Sequence, residues 1–445
     1  MTGPSPGQAQ DSQRWRFSVR RTPRQARALQ SVYLPAFWIL CLLLALSAWR
    51  LGVMLHSPLA RFPGATLTAI LLFAVWAVPF WLFIASMDFL EREPPLLLAT
   101  AFAWGAMVAT MAAMPGNRAL LGLTAKLVSA DFAMEWGPAI ASPAVEELLK
   151  ALGLVMLVLV ARRQINSVLD GMVYGALIGL GFQVVENIFY ALNAVEMANE
   201  GDTVAPVVAT FFLRGFLAGL WSHTLFSALT GAGIAWFLVR TDKPRPMRWG
   251  GLLVGLFLAW AVHFVWNSPL LMDGFGVTGA GLLIGLLLKG LPALVLGMAM
   301  LWVARHREAN YYIDRLEALR DPEIATEGEL HTLRHGHLRA DARRYGKFRA
   351  GPPGQKAVKA LQLAQAQLAV ELSRAPNGLV SGDAVIMNMR DDVRGIRNRL
   401  LRLAHPEAIA SPLRPAIPRI VVLGILTAVV LLGLIWFALT SMHGA

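Results

Sequence analysis

Hydrophobic positions along this chain run on in long blocks rather than alternating with polar ones at a short period. A block of about 20 apolar residues rises far enough as a helix to cross the hydrocarbon core of a bilayer. Such blocks occupy residues 34–55, 66–87, 96–114, 138–161, 168–192, 213–239, 250–270, 279–303 and 420–439. They predict an all-α, polytopic helical membrane protein with about nine transmembrane helices. Two stretches fit less well. Residues 119–136 are mixed and amphipathic, which predicts an interfacial or re-entrant segment, and 204–212 are of the same kind.

Composition agrees with the pattern. The 445 residues are 56% hydrophobic and only 15% charged, which excludes an ordinary soluble domain. The single cysteine, Cys41, lies in an apolar run and rules out an intrachain disulfide or a cysteine metal site. Residues 1–32 are polar and rich in arginine, and predict an unstructured basic tail before an uncleaved first span. Residues 33–304 hold the membrane core, 305–418 a basic cytoplasmic insert with a small helical domain, and 419–445 a last span. In the insert, Leu361, Leu368 and Leu372 share one helical face. His331, His335 and His337 have metal-like spacing but no supporting ligand nearby, so solvated histidines are expected. Basic residues there predict contact with membrane lipids, and no nucleic-acid recognition motif accompanies them.

Charge also sets an orientation. With the basic tail inside, Arg162, Arg163 and the segment 240–248 also fall inside, whereas Glu196, Glu200 and Asp202 fall outside. The N-terminus is then cytoplasmic and the C-terminus extracytoplasmic in a bacterial inner membrane.

Against this apolar background the polar residues inside spans stand out, because each charge costs roughly 2.5–3.5 kcal/mol near a bilayer centre. Span four carries Glu146, Glu147 and Lys150, and span five Glu186 and Asn187. Span six carries Arg214 and His223, span seven His263 and Asn267, and span eight Lys289. Counting residues from the outer ends puts Glu146, Glu147, Glu186, His223 and His263 at roughly 9–15 Å depth. Residues four apart share a face, which pairs Glu146 with Lys150 and His263 with Asn267. In span five, Gly171, Gly175 and Gly179 make a small-residue face for close helix packing.

Such a set can perform amide hydrolysis without a serine or cysteine nucleophile. A carboxylate in a dry pocket can take a proton from water. Histidines and a glutamate can bind zinc with one position open, and the candidate ligands are Glu186, His223 and His263. Alternatively, histidine and asparagine can act as oxyanion donors with no metal. Neither G-x-S-x-G nor H-E-x-x-H occurs. An ion-coupled transporter and a catalytically silent scaffold are the competing readings; a proton relay would spread its carboxylates through the membrane thickness, which this set does not.

The residues EELLK (146–150) followed by DGMVYGALIGLGFQVVEN (170–187) resemble the PrsW family of intramembrane proteases, with its EExxK and FxxxEN motifs. HTLFSALTGAGIA from His223 and HFVWN from His263 continue the resemblance in order, and DFLEREPP (88–95) is similar to that family's acidic-proline loop. The resemblance covers about residues 87–303. It implies a peptidase, related to the CAAX-protease and bacteriocin-processing group, that cuts single-span membrane proteins of the anti-sigma-factor kind near their extracytoplasmic face. It implies Glu146 as water-activating base, Glu147 as its partner, and His263 with Asn267 as an oxyanion or metal-facing pair. Glu186 stands where the CAAX group has a histidine. Asn267 replaces an acidic residue of some members, and the chain after Arg305 lies outside the resemblance.

Overall fold

The computed structural model describes residues 32–87, 93–217, 219, 221–270, 279–374 and 384–403, and all regular structure among them is helical. Proline opens the first three helices, at a position where no intrahelical N–H is needed. These are α1 (Pro35–Arg61), α2 (Pro63–Met87) and α3 (Pro95–Leu127). Midway, α3 widens into a π turn over Trp104–Ala109. The Ser129 hydroxyl caps α4 (Ala130–Ala161), accepting from the Phe132 N–H at 3.1 Å. A reciprocal box of Ser167 and Asp170 starts α5 (Val168–Ala198). Then come α6 (Ala205–Leu217), α7 (Ser222–Val239), α8 (Arg245–Asn267) and α9 (Gly279–Glu317).

Seven of these helices are long and apolar enough to cross a membrane, namely α1, α2, α3, α5, α7, α8 and the body of α9. The eighth long helix of this region, α4, spans 32 residues and carries Glu146, Glu147 and Lys150 inside it. Eight of the predicted spans therefore fall on helices, and the ninth, 420–439, lies outside the described residues, as does the tail 1–31. Burial separates their roles. Of the most apolar window in α5, 94% is buried, against 6% in α1, so α5 is the central post and α1 a peripheral helix facing lipid.

Two local expectations change. The mixed stretch 119–136 is no separate element: it is the end of α3, a break at Val128 and Ser129, and the first turns of α4. The span predicted at 213–239 is interrupted. The short helix α6 ends in a π turn over Leu213–Leu217, and the chain restarts as α7 at Ser222. Around the break, the Gly219 carbonyl accepts hydrogen bonds from the Gln183 amide and from the Ser222 hydroxyl. These bonds satisfy the Gly219 carbonyl inside protein, as irregular chain at membrane depth requires. The break makes His223 the second residue of α7.

Against α5, α7 packs at backbone distance. A Cβ on Gly175 would lie 2.2 Å from the Ser227 carbonyl oxygen, so only glycine permits this approach. At the end of the molecule where α5 finishes, Asp202 accepts from the Gly64 and Ala65 N–H groups, each at 2.8 Å, and so caps α2 from another loop.

Beyond the membrane-spanning part, α9 runs on unbroken to Glu317 and is followed by α10 (Glu327–Arg334), α11 (Gly336–Arg374) and α12 (Ala384–Arg402). The boundary expected at 305 thus falls within a helix. α11 bends at Ala350 and Gly351, where Gly351 adopts φ +62° ahead of Pro352 and Pro353. These helices bury their own apolar cluster, which includes Ile313, Leu361, Leu368, Leu372 and Val393. Within it, Arg397 closes on buried Glu329 at 2.6 Å.

Candidate active site

Four helices deliver the polar residues of the membrane core to one place. Pro138 and Pro143 in α4 each remove an N–H donor just before the glutamates. Trp104 of α3 holds the middle of α4 by donating to the Leu149 carbonyl at 3.0 Å. Glu146, Glu147 and Lys150 then point inward and are almost wholly buried. α5 brings Glu186, α7 brings His223 from its first turn, and α8 brings His263 one turn before its end at Asn267.

Glu147 lies in the middle of the ion pairs. Its Oε1 accepts from Lys150 Nζ at 2.7 Å and faces His263 Nδ1 at 2.9 Å. Glu186 Oε2 faces His223 Nε2 at 3.1 Å and accepts from Arg214 at 2.6 Å. Each ring therefore has a carboxylate on one nitrogen, which assigns the N–H to that side and turns the other nitrogen's lone pair inward. Those inner atoms are His223 Nδ1 and His263 Nε2. They lie 3.8 Å and 3.9 Å from Glu146 Oε2. Lys150 Nζ approaches the first at 3.0 Å and the Asn267 amide the second at 3.1 Å, as donors would approach a lone pair.

The Oε1 of Glu146 accepts from the Asn117 amide at 2.9 Å. Glu146 and Glu147 each bury their Oε2 without a hydrogen-bond partner, and that of Glu146 faces the inner nitrogens of both rings. Lys150 Nζ lies 3.7 Å from that oxygen. A cavity of about 170 Å³ opens beside it, lined by Glu146, Glu186, His223, His263, Asn117 and Asn267 among others. Its walls are polar and it has room for water.

A divalent metal fits this arrangement. Glu146, His223 and His263 offer three ligand atoms that all lie within 4.8 Å of one another, the one such group among the described residues. Glu146 Oε2 is an orphaned acceptor aimed at two histidine lone pairs. Three carboxylates, Glu146, Glu147 and Glu186, stand against the two cations Lys150 and Arg214, which leaves room for added positive charge. The expected ligand Glu186 is not in this group. It lies on the outer nitrogen of His223, where a carboxylate orients a ligating ring rather than ligates.

All six expected catalytic residues meet in this region, with Lys150 and Asn187 in support; Asn187 accepts from Arg214 at 2.7 Å. Lys289 lies apart, donating to the Ser268 carbonyl. Asn117 and Tyr190 were not recognised from the sequence, and Arg214 was named there only as an intramembrane charge. Asn117 is a lone amide two residues past a proline. Tyr190 lies four residues after Glu186, a spacing that signals a shared face, and its ring supports the Arg214 guanidinium at 3.7 Å. Arg214 is visible as a charge in an apolar segment, but its partner is on another helix. Of the acidic-proline loop, residues 88–92 lie outside the described residues, and Glu93 accepts from the Tyr174 hydroxyl at 2.6 Å. His331 and His337 are exposed as expected, whereas His335 is half-buried.

A family model described as PrsW family intramembrane metalloprotease matches residues 93–304. No curated protein and no solved structure matches the chain.

Proposed function

Because residues 93–304 belong to the PrsW family of intramembrane metalloproteases, the chain is a membrane peptidase, and we propose that it hydrolyses juxtamembrane peptide bonds of single-span membrane proteins. The observation that carries this reading is the orphaned Oε2 of Glu146, facing two histidine lone pairs at the edge of a polar cavity.

The residues that would hold a divalent metal, with zinc the natural choice for this donor set, are His223 and His263, with Glu146 as the third donor. A bound ion supplies a Lewis acid for water or for the scissile carbonyl. The chain's own groups have separable tasks. Glu147 and Glu186 each hold a cation and a histidine through one carboxylate oxygen, so both orient the groups around the cavity. Where no ion occupies it, the Oε2 of Glu146 is the oxygen left to accept a proton from water, with Asn117 holding the other oxygen. Asn267 donates into the same cavity and is placed to bind a developing oxyanion.

The site lies in the half of the membrane core away from α10–α12, since His263 is one turn from the end of α8. With the basic helix ends in the cytoplasm of a bacterial cell, this is the extracytoplasmic half, and substrates resembling anti-sigma factors would be cut there.

The test compares new protein N-termini in membranes containing the native chain, Glu146→Gln, or Glu135→Gln at an exposed position of α4. Fragments ending near a span boundary should disappear in Glu146→Gln alone. Identical fragment sets in all three membranes would overturn the assignment.

A further inference from the structure

The helices beyond the membrane core carry a bend that turns back toward the membrane. α11 starts where the spans end, since His335 and His337 share a cavity with Met87, the last residue of α2, and with Trp302 of α9. Its first arm leads to the bend at Ala350 and Gly351, and the second arm returns beside it. Gln362 donates to the Arg339 carbonyl at 3.2 Å and accepts from Arg343 at 2.7 Å. Nearer the bend, a Cβ on Gly354 would lie 2.4 Å from the Gly346 carbonyl oxygen. Further along the second arm, Gln365 donates to the Ile324 carbonyl at 2.9 Å and to Glu329 at 3.0 Å. Ile324 follows the end of α9, and α9 carries Glu317 about 18 Å past Arg305. From Gln365 back to Gly351 the second arm is about 21 Å long, enough to return from that far end to the level of Arg305. The bend is therefore the end of the α11 hairpin nearest the membrane surface.

Its side chains match that position. Phe348, two residues before the bend, is 81% exposed, more than any other large apolar side chain described in α10–α12. Arg344, Lys347, Lys356 and Lys359 are exposed around it, as are Pro352 and Pro353. Arg344 is paired with Asp341, whereas no carboxylate among the described residues pairs with Lys347, Lys356 or Lys359. From Ala342 to Val370 the chain has six Lys and Arg and no Asp or Glu, so the tip itself brings no negative charge to the surface it faces. An exposed ring among lysines can enter a headgroup layer while the amines meet lipid phosphates. An acidic protein would also match the lysines. The direction of the bend decides for the lipid, because the membrane surface already lies at that level.

We propose that the α11 bend docks on the anionic surface of the membrane that holds the core, with Phe348 in the headgroup layer and Lys347, Lys356 and Lys359 on lipid phosphates. The contact is a second attachment of the extramembrane helices besides α9, and it makes their stance on the core depend on lipid charge.

The full chain with Cys41→Ser and Phe348→Cys, labelled with bimane, is reconstituted in nanodiscs that contain phosphatidylcholine bearing a headgroup nitroxide. The remaining lipid is phosphatidylcholine alone or with about 30% phosphatidylglycerol. Quenching should rise ~5-fold with phosphatidylglycerol and fall back in ~0.5 M salt. Lys347→Gln with Lys356→Gln should cut that rise ~10-fold, whereas Arg315→Gln with Arg402→Gln, exposed charges away from the bend, should leave it unchanged. In the unlabelled native chain, amide exchange over residues 340–360 should slow in the anionic nanodiscs only. Equal quenching in both lipids, equal loss in the two double variants, or native exchange indifferent to lipid charge would each overturn the docking.

Discussion

Replacing Gly179 by alanine puts a methyl group where the structure has no space for one. Its Cβ would lie 2.0 Å from the His223 carbonyl oxygen, and real Cβ atoms do not approach closer than 3.0 Å. The obstacle is backbone in the first turn of α7, so no side chain can swing away. α5 and α7 must separate there by at least about 1 Å, and overpacking of this kind costs ~1–3 kcal/mol. The displacement falls on the catalytic geometry, because Glu186 on α5 and His223 on α7 meet at 3.1 Å. Stretching that contact by an ångström breaks it and lets the His223 ring turn its inner lone pair away from Glu146. Misplacement of about 1 Å in a catalytic group costs on the order of 100-fold in rate. The assay is cleavage of a single-span reporter in proteoliposomes, alongside Gly52→Ala, whose new methyl would meet nothing within 4 Å. Gly52→Ala should cleave at the native rate and Gly179→Ala ~100-fold more slowly, with both chains inserted and giving the native limited-proteolysis pattern. A native rate in Gly179→Ala would refute the claim that this glycine contact sets the site.

Arg214→Gln should lower cleavage roughly 10–100-fold, as losing the partner of an orienting carboxylate does. Arg214→Lys should recover part of that loss, because the charge returns but the paired contact to Glu186 and Asn187 does not; steady-state kinetics of the reporter, with equal rates in all three chains, would contradict this. Outside the membrane, the pKa of His335 is pushed below its ordinary 6.5 by burial and by His331, His337, His306 and Arg334 around it. The unfolded chain therefore takes up this proton first as pH falls, so the stability linked to His335 is complete above about 6.5 and is lost below it. Limited proteolysis of α10–α12 should accelerate between pH 7.5 and 5.5 in the native chain, and less in His335→Gln.

What could be read in advance divides along physical lines. The spans were legible because crossing a bilayer demands a continuous apolar run, a property of one segment at a time. Glu146 with Lys150, and His263 with Asn267, were legible for the same reason, since four residues along a helix fix a shared face whatever surrounds it. Contacts between helices were not. Asn117 reaches Glu146 only because α3 continues past residue 114, and Arg214 reaches Glu186 only because α6 breaks before α7 begins. The exchange of Glu186 for Glu146 in the three-atom group has the same origin. Depth along the membrane placed both glutamates level with the histidines, but which nitrogen of each ring faces which carboxylate depends on the rotation of α4, α5 and α7 about their axes. The boundary expected at 305 rested on a fall in hydropathy, and hydropathy reports where lipid ends rather than where a helix ends. α9 crosses that point unbroken, which carries Trp302, Arg305 and His306 on one rigid element from the membrane core to the helices beyond it. That one helix also lines a cavity at the junction, with Met298, Leu301 and Trp302 beside Arg305 and His306.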